Sequence, residues 1–132
     1  MNYSELTRRY FETAGAAGVL SGGCVGRGAA GTRRAGTWVQ FDIQLEPGGE
    51  PQRRILAARF LAFGCPHTIA VAAWVCERAA GTFCAAALPE TAQALCRRFE
   101  VPAEKLGRLL VIEDAWAAAA AAAQATARVT IS

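Results

Sequence analysis

The stretch Ala58-Arg59-Phe60-Leu61-Ala62-Phe63-Gly64-Cys65-Pro66-His67-Thr68-Ile69-Ala70 carries an apolar strand pattern directly into an apolar helix pattern, with glycine, cysteine and proline at the joint. Pro66 suits the first helical position, where a missing N–H costs nothing. A helix is therefore predicted from Pro66 to about Ala80, closed by Gly81, with Ile69, Ala72, Ala73 and Cys76 on one side. On the other side of the joint, Arg54 to Phe63 reads as a strand. Cys65 then sits beside unpaired helix amides and the positive end of the helix dipole, both of which favour an anion, so it is the best thiolate candidate in the chain. His67, the single histidine, falls in the first turn of the same helix.

Upstream, Val39, Phe41, Ile43 and Leu45 alternate with Gln40, Asp42 and Gln44, the period-two pattern of a half-buried strand from Thr37 to Leu45. The segment Glu46-Pro47-Gly48-Gly49-Glu50-Pro51 supplies turn chemistry between this strand and the next, predicting an antiparallel hairpin. Folding the chain back there brings Ala35 and Gly36 near Gly64 and Cys65, with Arg33 and Arg34 within reach of the thiol.

Further out, a first helix is expected from Tyr3 to about Ala14, with Asn2 as cap, Glu5 in capping-box position, and Tyr3, Leu6 and Tyr10 as a docking stripe. Gly15 to Gly36 is glycine-rich and has room for one short edge strand. Another helix is expected from Pro89 to Arg97-Arg98, whose cations suit the negative end of its dipole. A long helix starts near Pro102. Leu106, Leu109, Leu110, Ile112 and Trp116 form its apolar stripe, the alanines from 117 to 123 continue it, and 124–132 is expected to fray. Glu113 falls within that stripe and calls for a partner, expected to be an arginine. The pattern predicts an α/β fold in the α+β sense: a small antiparallel sheet of about three strands packed against a layer of helices.

At 132 residues the chain can bury one proper core and is too short for two, so residues 1–132 are read as a single domain. Adjacent arginine pairs at 8–9, 33–34, 53–54 and 97–98 are dispersed among acidic residues and accompany no nucleic-acid motif, which argues against a nucleic-acid partner. No apolar run approaches the length needed to cross a bilayer, so a cytoplasmic protein without a membrane partner is expected. The five cysteines are odd in number and show no Cys-x-x-Cys spacing, as expected of free thiols. Cys76, Cys84 and Cys96 read as small buried hydrophobes, and Cys24, in a glycine-rich loop, as exposed.

The same residues resemble the iron-sulfur cluster assembly scaffold family, the IscU-like proteins similar to the N-terminal domain of NifU. The likeness is strongest at 58–70 and extends to Tyr3-Ser4, Tyr10-Phe11-Glu12 through Gly18, Gly36 through Ile43, Val101 through Leu106, and Glu113-Asp114-Ala115. That family holds its cluster on three cysteines assisted by an Asp or His. Carried over residue by residue, the resemblance leaves only Cys65 as a retained ligand, with His67 as a further metal-binding candidate beside it. The first cysteine's position is Ala35, the aspartate's is Thr37, and the His-Cys pair after Lys-Leu is Gly107-Arg108. The segment read by an Hsp70-type chaperone keeps only Pro102 and Lys105 as partner-binding candidates.

The resemblance thus implies a scaffold-fold protein linked to cluster assembly, degenerate at the cluster site, with cysteine desulfurase or other assembly proteins as partners and a binding rather than catalytic role. One thiolate per chain cannot supply the four ligands a two-iron cluster needs, so an iron-sulfur cluster or metal ion is expected to be held weakly, or across a homodimer through Cys65 and His67 of both chains, with none on the isolated chain. Two other classes stay open: a ligand-free relative acting as a binding or regulatory module, and a thiol enzyme with Cys65 as nucleophile, Arg34 or Arg108 lowering its pKa and His67 as base.

Overall fold

A computed structural model describes residues 3–48, 50 and 52–129. The chain runs α1 (Glu5–Thr13), β1 (Val25–Thr32), β2 (Thr37–Leu45), β3 (Ile55–Phe63), α2 (Pro66–Ala79), α3 (Ala92–Phe99), a 3₁₀ turn (Ala103–Lys105) and α4 (Leu106–Val129). The strands form an antiparallel sheet in the order β1-β2-β3, so the expected hairpin is present and the glycine-rich stretch does hold an edge strand. One layer of helices covers the sheet, with α4 lying on β1 and β2 and α2 on β3, while α1 packs against α2 and α3 against α4.

The alternation in β2 becomes burial: Val39, Phe41, Ile43 and Leu45 are inaccessible or nearly so. Phe41 meets Trp116 of α4 edge-on at 5.1 Å between ring centroids. α4 approaches β1 closely enough that a Cβ at Gly26 or Gly28 would overlap the backbone of Ala123 or Ala119. The glycines of β1 and the alanines of α4 are thus two halves of one close-packed seam. On the far side of the sheet, Asp42 is buried, accepting two bonds from Arg27 at 2.8 and 2.9 Å and one from the Leu20 amide at 2.8 Å. The edge of β3 is covered by 16–18, through Gly18 N–H to Phe60 C=O at 2.8 Å and Phe60 N–H to Ala16 C=O at 3.1 Å.

Several expectations are corrected. α1 is capped by Ser4, whose hydroxyl accepts from the Thr7 amide at 3.1 Å; Asn2, the expected cap, lies outside the described residues, as do Gly49 and Pro51 of the hairpin turn. α2 ends as expected, at Ala79 with Ala80 as its cap and Gly81 at φ 85° just beyond, but it is buried nearly all round instead of on one side, because β3, α1, α3 and α4 all touch it. α3 begins at Ala92 instead of Pro89, because Thr91 caps it by accepting from the Ala94 amide at 3.1 Å. Leu110 is exposed, so it lies outside the apolar stripe, and α4 stays helical to Val129 where fraying was expected, residues 130–132 lying outside the description. Cys24 is buried, held at φ 61° with its carbonyl accepting from the Leu45 amide at 3.0 Å. Cys76 and Cys84 are buried as expected, and Cys96 is half-buried.

Candidate functional site

The site forms where β3 gives way to α2. The register pairs Trp38 with Phe63, which sets the start of β2 beside Gly64 and Cys65. A four-residue turn, 33–36, closes between the paired Thr32 and Thr37, stabilised by Gly36 N–H to Arg33 C=O at 3.0 Å and Ala35 N–H to the Thr32 hydroxyl at 3.0 Å. Arg33 is occupied on the sheet face, its guanidinium 5.8 Å from the ring centroids of both Trp38 and Phe63. Arg34 is exposed and is not among the groups acting on Cys65.

Cys65 is the N-cap of α2, half-buried, with extended φ −78° and ψ 168°. Its sulfur does not close the short capping bond a serine would make. It lies 3.7 Å from the Thr68 hydroxyl and 3.9 Å from His67 Nδ1. Burial pushes the thiol pKa up, but the Thr68 amide and hydroxyl, the Arg108 guanidinium and the His67 amide together outweigh it, so the thiol titrates below its ordinary range. His67 is buried against Tyr3, ring centroids 4.7 Å apart. Burial, and then the charges of Lys105 and Arg108, hold its pKa below the ordinary value and its ring neutral near pH 7.

Ala35, Thr37, Gly107 and Arg108, chosen from sequence as the substituted positions, converge on one open pocket of about 250 Å³, which Gly31, Glu104 and Val111 also line. Arg108, on this lining, is also one of the groups that hold the Cys65 pKa down. Ala35 and Gly107 bring no donor side chain to this lining, Thr37 brings a hydroxyl, and Arg108 brings a permanent cation. Among the described residues no group of three or more His, Cys, Asp and Glu is placed to hold a metal ion. Pro102 is exposed and caps the 3₁₀ turn that Lys105 ends, its carbonyl accepting from the Lys105 amide at 2.9 Å.

Sequence reasoning missed Thr68. It stands at the third helical position after the Cys65 cap, the position whose amide normally serves the cap, and that spacing was the available signal. Glu113 proves not to pair with an arginine: its carboxylate accepts from the Ala92 amide at 3.1 Å, at the start of α3. No helix among the described residues is long and apolar enough to cross a membrane.

The sequence profile of the NifU-like N terminal domain matches residues 2–129. Among solved structures, a candidate iron-sulfur cluster assembly scaffold protein for the SUF system of the thermophile Fervidobacterium islandicum AW-1 superposes with a TM-score of 0.59, covering 92% of this chain and 96% of that one at 13% identity. At that identity the likeness shows a shared fold. No curated protein matches the chain.

Proposed function

Because the chain belongs to the NifU-like N-terminal domain family, and so has a scaffold fold linked to iron-sulfur cluster assembly, we propose that it serves that assembly as a sulfur acceptor through Cys65. The observation carrying this is the setting of one sulfur: half-buried at the start of α2, 3.7 Å from the Thr68 hydroxyl and 3.9 Å from the His67 imidazole, with the neighbouring donors holding its pKa below the ordinary range. Such a thiolate is nucleophilic and reachable. It would attack the terminal sulfur of a persulfide on a cysteine desulfurase or similar cytoplasmic partner. A new S–S bond forms on Cys65 as the donor's S–S bond breaks and its thiolate departs, with no net oxidation.

The cluster itself is cargo that this chain is ill-suited to carry alone, since a two-iron cluster needs four protein ligands. A shared site between two chains would need His67 to reach outward, and its burial against Tyr3 counts against that. The donor-free lining of Ala35, Thr37 and Gly107 favours a second reading, a binding or regulatory module that keeps only the fold. The two are separated by incubating the chain with a cysteine desulfurase and cysteine, then weighing it under non-reducing conditions. The first reading expects one added sulfur on the native chain and none on Cys65→Ser; a native chain without added sulfur overturns it. Anaerobic reconstitution with iron and sulfide is expected to give no charge-transfer absorption.

A further inference from the structure

The outer face of the sheet, away from the helices, changes character along β3. In its middle, Arg59 pairs in register with Asp42, which holds Arg27; nearer Cys65 the face turns apolar, with Leu61 opposite Gln40 and Phe63 opposite Trp38. Phe63 is 47% exposed and Leu61 38%, while Trp38 is half-buried. Phe63 stands two residues before Cys65, at most about 7 Å along an extended chain. The Arg33 guanidinium lies 5.8 Å from the ring centroids of both Trp38 and Phe63, so this cation is stacked in place before any partner arrives. Aromatic rings with a fixed arginine are the composition enriched at the centres of protein interfaces. The rim is cationic. Ala35, in the same turn as Arg33 and Arg34, shares a pocket wall with Arg108, and the carboxylate on that wall is Glu104. Lys105 acts with Arg108 on the charge of His67, so it belongs to the same end of the molecule.

From this we infer that the patch of Trp38, Leu61, Phe63 and Arg33 is the docking face for the protein that brings sulfur to Cys65, and that this partner presents an apolar surface rimmed with carboxylates. The inference rests on Cys65 accepting sulfur, as proposed above, and adds where the donor sits and what its surface is made of. A persulfide carried on a protein reaches the thiol only when that protein lies against the chain around it. A standard interface buries about 800 Å² on each partner, a footprint roughly 30 Å across. Centred on Cys65, such a footprint takes in Phe63 and the turn at 33–36 well inside its margin. Stacked guanidiniums keep their N–H edges free, which suits carboxylates on the partner and speeds its approach. A second copy is the poorer occupant, because a two-fold contact sets the patch against itself and brings Arg33 and Arg34 against their own equivalents.

The test follows sulfur transfer to the full chain from two donors, a cysteine desulfurase supplied with cysteine, and glutathione persulfide, which needs no docking face. Added sulfur is read by mass under non-reducing conditions. Phe63→Ala and Arg33→Glu should each raise the desulfurase concentration giving half the maximal rate by about tenfold. The Arg33→Glu effect should shrink as salt rises, and both variants should take sulfur from glutathione persulfide at the native rate. Phe83→Ala is the control: that ring is 50% exposed with Arg54 stacked 4.5 Å from its centroid, at the opposite end of β3, and its loss should leave both donors unaffected. Phe63→Ala and Arg33→Glu without effect on the desulfurase reaction, or slowed equally with both donors, overturn the inference. A native chain that takes sulfur from glutathione persulfide and not from the desulfurase overturns it too, while leaving Cys65 an acceptor. A native chain that takes sulfur from neither removes the acceptor reading and this inference with it. A native mass that rises with concentration, and no longer does so in Phe63→Ala, shows a second copy on this face and likewise overturns it.

Discussion

Cys65 and Glu113 show how a residue's role follows from which backbone amides it faces. For Cys65, donors outweigh burial, so alkylation by iodoacetamide should reach half its maximal rate below the ~8.5 of a free thiol. Removing a donor raises the pKa again, so the midpoint should climb in Arg108→Gln and in Thr68→Val. A midpoint unmoved in both would show that neither group acts on the sulfur. For Glu113 the partner is an amide at the start of α3, a position where a carboxylate also meets the positive end of the helix dipole. Glu113→Ala should therefore cost about 1 kcal/mol in urea unfolding, comparable to losing an N-cap, whereas removing any nearby arginine should not reproduce that loss. The carboxylate's need for a partner was legible from its place in an apolar stripe. Its identity was not, because a backbone amide 21 residues away leaves no residue letter to read.

Among the elements, β2, β3 and α2 were legible because each advertises its period: alternation in Val39 to Leu45, an apolar run bounded by turns, and proline at a helix start. β1 was obscure for the opposite reason. Its inward positions are Gly26 and Gly28, which α4 requires to be empty of side chains, so the hydrophobic alternation that marks a strand is erased by the packing that makes it one. That seam yields a sharp expectation. Gly28→Ala should destabilise the protein by about 3 kcal/mol, at the upper end of overpacking, measured by chemical unfolding. The same change at Gly107, where a Cβ meets nothing within 4 Å and the helix gains propensity, should be neutral or mildly stabilising.

In the molecule as a whole, the sheet's two sides are stabilised differently, apolar toward the helices and through the Arg27–Asp42 ion pair on the other. Burial raises the Asp42 pKa, but Arg27 and the Leu20 amide outweigh it and hold the carboxyl below the usual carboxylate range. A carboxyl with a depressed native pKa contributes stability that is complete above its unfolded value, near 3.9, and is lost as pH falls through the native value. Asp42→Asn should accordingly lose about 1–3 kcal/mol at neutral pH, with a smaller further decline on acidification than the native chain, read from unfolding midpoints between about pH 5 and 2. The convergence of Ala35, Thr37, Gly107 and Arg108 on one pocket was legible only through family likeness, since no local pattern joins a β-turn to the first turn of a helix seventy residues later. That convergence also makes α4 a lever. Its alanines rest against bare strand backbone roughly 16 Å along the axis from Arg108, so a methyl group added at Gly28 would tilt the rod about that fulcrum and swing the guanidinium relative to the sulfur, detuning the chemistry at one end by a steric push at the other.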